Sequence, residues 1–169
     1  FGKVGHFLII LSFVTSLAAS IAYFFATINR NDTSKSFPWI NLGRKMFVLH
    51  AVAVLGIMIC LLMVIHSHFF EYKYVWEHTS KSLPIYYQFS AMWSGQEGST
   101  LLWMFWHGVL GCVLIFKAKN WESPVLSIVA LAQVLLGSML LGIYVLGYKF
   151  GSSPFALMRD TMEIPVFKM

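Results

Sequence analysis

Trp93-Ser94-Gly95-Gln96-Glu97-Gly98-Ser99 puts a carboxylate, a carboxamide, two hydroxyls and two glycines directly before an apolar run from Leu101 to Phe116. Polar groups beside hydrocarbon are costly and are kept mostly where they act. Here they can orient a ligand or a partner, or satisfy the free backbone N–H groups that open a helix. Ser94 or Ser99 suits such a cap. Glu97 near a helix start is favoured by the macrodipole by about 0.3–1 kcal/mol. Gly95 and Gly98 allow backbone or ligand to come close. Capping accounts for the serines and much of the glutamate, but it does not need Gln96 and Glu97 together.

Trp103, Trp106 and His107 follow at i, i+3 and i+4, the spacing of one helix face. A ring nitrogen of His107 could reach haem iron, or the ring could sit as a hydrogen-bonded core residue. The spacing leaves both readings open. The other histidines carry less. His50 is placed near the inner end of the second apolar run, and His66 and His68 near its outer end. The 16 residues from His50 to His66 span about 24 Å of helix, too far to share a metal. His66 and His68 point apart at i, i+2. His6, His66, His68 and His78 are candidates for a cluster on one face. The chain holds no HExxH, GxSxG or phosphate-cradling glycine loop.

These residues need a membrane scaffold. Hydrophobic residues make up 58% of the chain and charged residues 11%, against about 25% charged in soluble domains. The expected fold is therefore an all-α integral membrane protein. Four spans are predicted, over about 7–28, 46–70, 99–116 and 125–146, each near the roughly 20 residues that crossing requires. The net charge of +5 does not indicate nucleic-acid binding, because the basic residues sit in short loops where topology explains them. Cys60 and Cys112 lie in apolar segments with no CxxC and read as packing residues. Gly137, Ser138 and Gly142 read as small residues that admit a neighbouring helix. The first apolar run is too long for a cleavable signal.

Segment 29–45 holds Arg30, Lys35, Arg44 and Lys45, and segment 117–123 holds Lys117 and Lys119. Both are assigned to the cytoplasm, and both termini to the outer (periplasmic) face. Lys149, Arg159 and Lys168 in the tail oppose this weakly. The outer loop 71–97 is aromatic, with Tyr72, Tyr74, Trp76, Tyr86, Tyr87 and Trp93. It reads as an interfacial belt or as a platform for a flat ligand or a partner. Ser82-Leu83-Pro84 breaks any helix coming from the second span, and Ile85 to Met92 is expected to form a short interfacial helix.

Ser82-Leu83-Pro84-Ile85-Tyr86-Tyr87, then residues 93–99, then Leu101-Leu102-Trp103 resemble the amino-terminal part of the cytochrome c-type biogenesis proteins. This is the haem-handling family that includes CcmF, CcmC and CcsA. Gly151-Ser152-Ser153-Pro154-Phe155 is similar to a turn in the same family. The resemblance implies a role in cytochrome c maturation, in which thioether bonds form between haem vinyl groups and the CxxCH thiols of an apocytochrome c. It implies haem as cofactor, ligated by residues outside this chain. The implied partners are the remainder of the haem lyase or a companion chain, a haem chaperone, thiol-reducing maturation proteins, apocytochrome c and the lipid bilayer. The implied location is a bacterial inner membrane or an organellar one.

The family's tryptophan-rich haem segment does not occur in these residues, so the chain reads as the amino-terminal part of a longer protein or one piece of a split system. Trp93, Gly95, Gln96, Glu97, Gly98, Ser99, Trp103 and Trp106 carry over as a partner or haem-site edge, without individual roles. Two other readings stand beside this one. One is a non-enzymatic assembly subunit. The other is part of a proton-coupled transporter, which should show helices broken near mid-membrane.

Overall fold

The computed structural model describes residues 2–81, 83–145 and 148–158, except for the side chains of 143–150. Ser82, the end of the fourth predicted span beyond Val145, the Lys149 side chain, and Arg159 and Lys168 lie outside this description.

The chain runs through α1 (Gly2–Ile28), α2 (Thr33–His66), α3 (Lys73–His78), α4 (Ile85–Ala91), α5 (Gln96–Lys117) and α6 (Glu122–Leu141). A three-residue 3-10 turn precedes α6, and strands β1 (Ile143–Val145) and β2 (Tyr148–Phe150) follow it. Four of the helices, α1, α2, α5 and α6, are long and apolar enough to cross a membrane. The chain is a multi-pass membrane protein. The two strands pair antiparallel, Ile143 with Phe150 and Val145 with Tyr148, and add a small hairpin to the expected helices.

Helix α2 starts thirteen residues before the predicted position of 46. Asp32 caps it by accepting from the Ser34 N–H at 3.2 Å, and its carboxyl is held below the usual range by Ser34 and Lys35. Pro38 is tolerated inside this first stretch, where the carbonyl it leaves unpaired can meet water. At 34 residues, roughly 51 Å, α2 exceeds a bilayer core. Its charged first turns therefore stand above the membrane rather than forming a loop. His50, near the start of the apolar run, thus lies mid-helix and is fully buried. The fourth span ends at Leu141, where Gly142 adopts φ 69 as a left-handed cap. Gly142 is thus a terminator and not a packing residue.

The four long helices form an up-and-down ring in which α1 packs on α2 and α6, and α5 packs on α6 and α2. Buried Ser12, Thr15, Ser16, Ala19, Ala22 and Ala26 give α1 a seam of small residues, which lets backbones approach in lipid. Gly137 continues this contact: a Cβ there would sit 3.5 Å from the Phe13 ring. Two polar links cross the apolar interior. His50 Nδ1 donates to the Ser12 carbonyl at 2.8 Å, and Gln133 Nε2 donates to the Met104 carbonyl at 2.8 Å. Cys60 is buried, Cys112 is half-buried, and both are free thiols, as packing residues should be.

At the end of the ring formed by the α1–α2 and α5–α6 connections, Arg44 clasps Glu122 with two bonds of 2.6 Å. The Tyr23 hydroxyl reaches the same carboxylate at 3.5 Å. The opposite end carries α3, α4, the hairpin and residues 151–158.

Candidate functional site

The polar motif lies at the second of these ends. Helix α4 ends at Ala91, a short turn follows, and Gly95 is the N-cap of α5. No side chain caps this helix. Ser94 Oγ donates to the Ala91 carbonyl at 2.9 Å, and Ser99 Oγ donates to the Trp93 carbonyl at 3.0 Å. The expectation that either serine caps α5 is therefore corrected: both hydroxyls tie the turn back on itself. Glu97 does sit in the first turn, where the helix dipole favours it.

The residue that organises this turn is Tyr74, on α3. It belongs to the aromatic loop, yet it is buried, while Tyr86, Tyr87, Trp76 and Trp93 are exposed. The Tyr74 hydroxyl lies 2.9 Å from the Ala91 carbonyl and 2.7 Å from the Met92 carbonyl, donating its proton between them. It accepts from the Gly95 N–H at 3.5 Å. His78 stacks on the Tyr74 ring at 4.5 Å between centroids. A Cβ at Gly98 would collide with the Met92 carbonyl and the Tyr74 hydroxyl, and a Cβ at Gly95 would crowd His78. The glycines of the motif therefore admit protein, namely Tyr74 and its neighbours.

Glu97 reaches across to the tail, where Ser152 Oγ donates to its carboxylate. The tail is also sewn to the loop before α3: the Lys73 N–H donates to the Ala156 carbonyl at 3.0 Å, and the Met158 N–H to the Glu71 carbonyl at 2.9 Å. Buried Phe155 presses its ring against Gly5 of α1, where no Cβ would fit. Tyr74 and Ser152 were not among the expected site residues. The 151–155 turn was the available signal for Ser152. Nothing in a uniformly aromatic loop distinguished Tyr74.

Burial pushes the Tyr74 hydroxyl up from 10.0 to about 12, with Glu97 adding to the rise and the Gly95 and Ser94 contacts opposing it. An unfolded tyrosine ionises near 10.0, so this contribution to stability is complete below that pH and is lost as pH rises toward about 12. Tyrosinate absorbance should therefore lose a component titrating toward about 12 in Tyr74→Phe. Titration of every tyrosine together near 10.0 would mean the hydroxyl is not sealed.

Trp103, Trp106 and His107 share a face of α5, as their spacing predicts, and that face points out of the bundle. Trp103 is 63% and Trp106 62% exposed. With Leu102 and Leu110 they line an open groove of about 340 Å³. His107 Nδ1 lies 2.8 Å from the Trp103 carbonyl. A carbonyl only accepts, so Nδ1 carries a proton, which in the neutral ring leaves the lone pair on Nε2. The core histidine is His50, not His107. One imidazole nitrogen beside two indoles could supply a single nitrogen ligand and flat apolar contact to a haem. No second histidine lines the groove, and no group of three His, Cys, Asp or Glu gathers among the described residues. The other histidines stand apart: His66 meets Gln88 at 3.2 Å, His68 stacks on Phe70, His78 stacks on Tyr74, and His6 lines a cavity with Lys3 and Glu71. Helix α5 runs unbroken from Gln96 to Lys117, unlike the interrupted helices of a transporter site.

No family model matches the chain. It is 33% identical over 99 residues to the cytochrome c-type biogenesis protein CcmF of Haemophilus influenzae, covering 57% of this chain and 14% of that protein. It is 27% identical over 119 residues to the cytochrome c-type biogenesis protein NrfE of the same organism, covering 70% and 18%. The fold matches a solved cytochrome c haem lyase CcmF with a TM-score of 0.75 and 20% identity, over 86% of this chain and 24% of that one. The chain thus spans less than a quarter of each relative's length. Relatives and fold together show the chain to be a CcmF-like stretch of four membrane helices, similar to the cytochrome c-type biogenesis proteins.

Proposed function

We propose that this chain serves cytochrome c maturation as the membrane-embedded scaffold of a haem lyase, acting on the outer face of a bacterial inner membrane. One observation carries the reading. The separate segments that bear the resemblance lie together at one end of the bundle, joined through Tyr74, Glu97 and Ser152. The orientation follows from charge. Arg30, Lys35, Lys45, Lys117 and Lys119 crowd the opposite end, which the positive-inside rule assigns to the cytoplasm.

In this reading Glu97 positions the 151–155 turn, and Gly95 and Gly98 make room for the Tyr74 latch. Ser99 holds the Trp93 carbonyl. Trp93 and Gln96 stay at the exposed rim. Trp103 and Trp106 offer flat apolar surface to haem or to the rest of the lyase, whether the same chain or a companion. His107 would supply at most one nitrogen ligand, with the remaining ligands outside this chain. Bound haem supplies the vinyl groups that the apocytochrome thiols join. The haem chaperone and the thiol-reducing proteins would dock on the same outer end.

Two variants test this. Trp103→Ala should lower holocytochrome c yield while the protein stays in the membrane, because an exposed tryptophan anchoring an interface contributes about 2 kcal/mol or more, roughly a thirtyfold change in association. Glu97→Ala should lower the yield less, by loosening the 151–155 turn. The readout is covalent haem in a reporter cytochrome c, with the membrane level of each variant measured alongside. Normal yield from both variants would remove the outer end from the function.

A further inference from the structure

The basic end holds a second site that the maturation reading does not use. A cavity of about 360 Å³ opens between the α1–α2 and α5–α6 connections. Arg30 and Lys119 line it, together with Thr33, Ser36, Asn120 and Ser123. The two nearby acids are already engaged. Glu122 is clasped by Arg44, and Asp32 accepts from Ser34 and pairs with Lys35 at 3.2 Å. The Arg30 and Lys119 charges therefore have no carboxylate partner among the described residues.

Two further features point to an anion. Ser123 is only 8% exposed, yet its hydroxyl has no partner among the described residues. Lys119 is held at φ 46, a conformation uncommon for a residue with a side chain. Helices α2 and α6 both begin at this cavity, and their N-terminal dipoles favour negative charge. The edge of the site is apolar. Phe37 is 60% and Trp121 65% exposed, and the Arg30 guanidinium lies 5.6 Å over the Trp121 ring. Cations above and exposed aromatic side chains at the edge match a ligand with an anionic head and hydrocarbon tails.

We infer that this cavity binds the phosphate of an anionic phospholipid headgroup, with Arg30, Lys119 and the Ser123 hydroxyl as its ligands. Basic pockets between membrane helices take such headgroups, and each Lys or Arg near the surface contributes enough that losing two weakens binding roughly tenfold or more.

The test reconstitutes the protein in phosphatidylcholine bilayers with a small share of spin-labelled phosphatidylglycerol, and reads the motionally restricted lipid by electron paramagnetic resonance. Wild type should select phosphatidylglycerol over spin-labelled phosphatidylcholine. Arg30→Gln with Lys119→Gln should lose that selectivity roughly tenfold, and Arg30→Lys with Lys119→Arg should keep it. Lys45→Gln with Lys117→Gln removes the same charge outside the cavity and should leave selectivity intact. Equal loss in that control would reduce the effect to general surface charge and overturn the site. Unchanged selectivity in the cavity variant would also overturn it. Displacement by inorganic phosphate beyond ionic-strength-matched chloride would make free phosphate the ligand and overturn the lipid assignment. Melting in phosphatidylcholine alone checks the fold. If the double variant melts early, Lys119→Gln alone carries the comparison.

Discussion

Replacing Arg44 with methionine is expected to destabilise the protein by about 3–5 kcal/mol, the usual cost of leaving one member of a buried ion pair uncompensated. The cause is an asymmetry within the pair. The Glu122 side chain is 5% exposed and the Arg44 side chain 43%. Without Arg44, the carboxylate stays buried with only the Tyr23 hydroxyl at 3.5 Å. Without Glu122, the guanidinium can reach water along its flexible stem. Glu122→Gln should therefore cost less, about 1.5–3 kcal/mol, the range for a lost hydrogen bond to a charged group. Arg44→Met combined with Glu122→Leu should recover much of the loss, because an apolar pair of similar volume is often neutral. Thermal melts of the three variants in one detergent check the order. Equal losses for both single variants would contradict the burial asymmetry.

Gly98→Ala is expected to be the most damaging single methyl group at the end of the bundle that carries α3 and α4. Its Cβ would strike the backbone carbonyl of Met92, which cannot rotate away, and the Tyr74 hydroxyl. Overpacking of this kind typically costs about 1–3 kcal/mol. Displacing Tyr74 would also free two buried carbonyls, each with a penalty of about 1–3 kcal/mol. The α4–α5 turn should open, so protease cutting near residues 91–95 should rise sharply. Gly108→Ala is the control: its Cβ would meet Ala51 at an ordinary 3.6 Å, and the variant should resist protease like wild type. Protection of the turn in Gly98→Ala would show that the Tyr74 latch is not what holds it.

The four spans were legible because lipid demands long apolar helices, and little else in a chain has that pattern. The start of α2 was not, because Lys35, Pro38, Arg44 and Lys45 look like a loop when only hydropathy is read. The outer motif was legible as a unit and as a resemblance, but its chemistry was misassigned. Ser94 and Ser99 have cap-like positions yet donate to carbonyls, a choice made by the turn geometry. The Glu97–Ser152 tie joins residues 55 apart, which no local pattern encodes. The Arg44–Glu122 clasp was equally hidden, although a single glutamate inside the second basic segment was its trace. Trp103, Trp106 and His107 were rightly grouped on one face, but spacing alone cannot say whether that face looks inward or outward.

The most direct test of the central claim is the amount of covalently haem-linked cytochrome c in cells lacking this protein, re-supplied with wild type or with Trp103→Ala. The account predicts no holocytochrome c without the protein, full recovery with wild type and poor recovery with Trp103→Ala at equal membrane levels. Normal holocytochrome c in the deletion would contradict it.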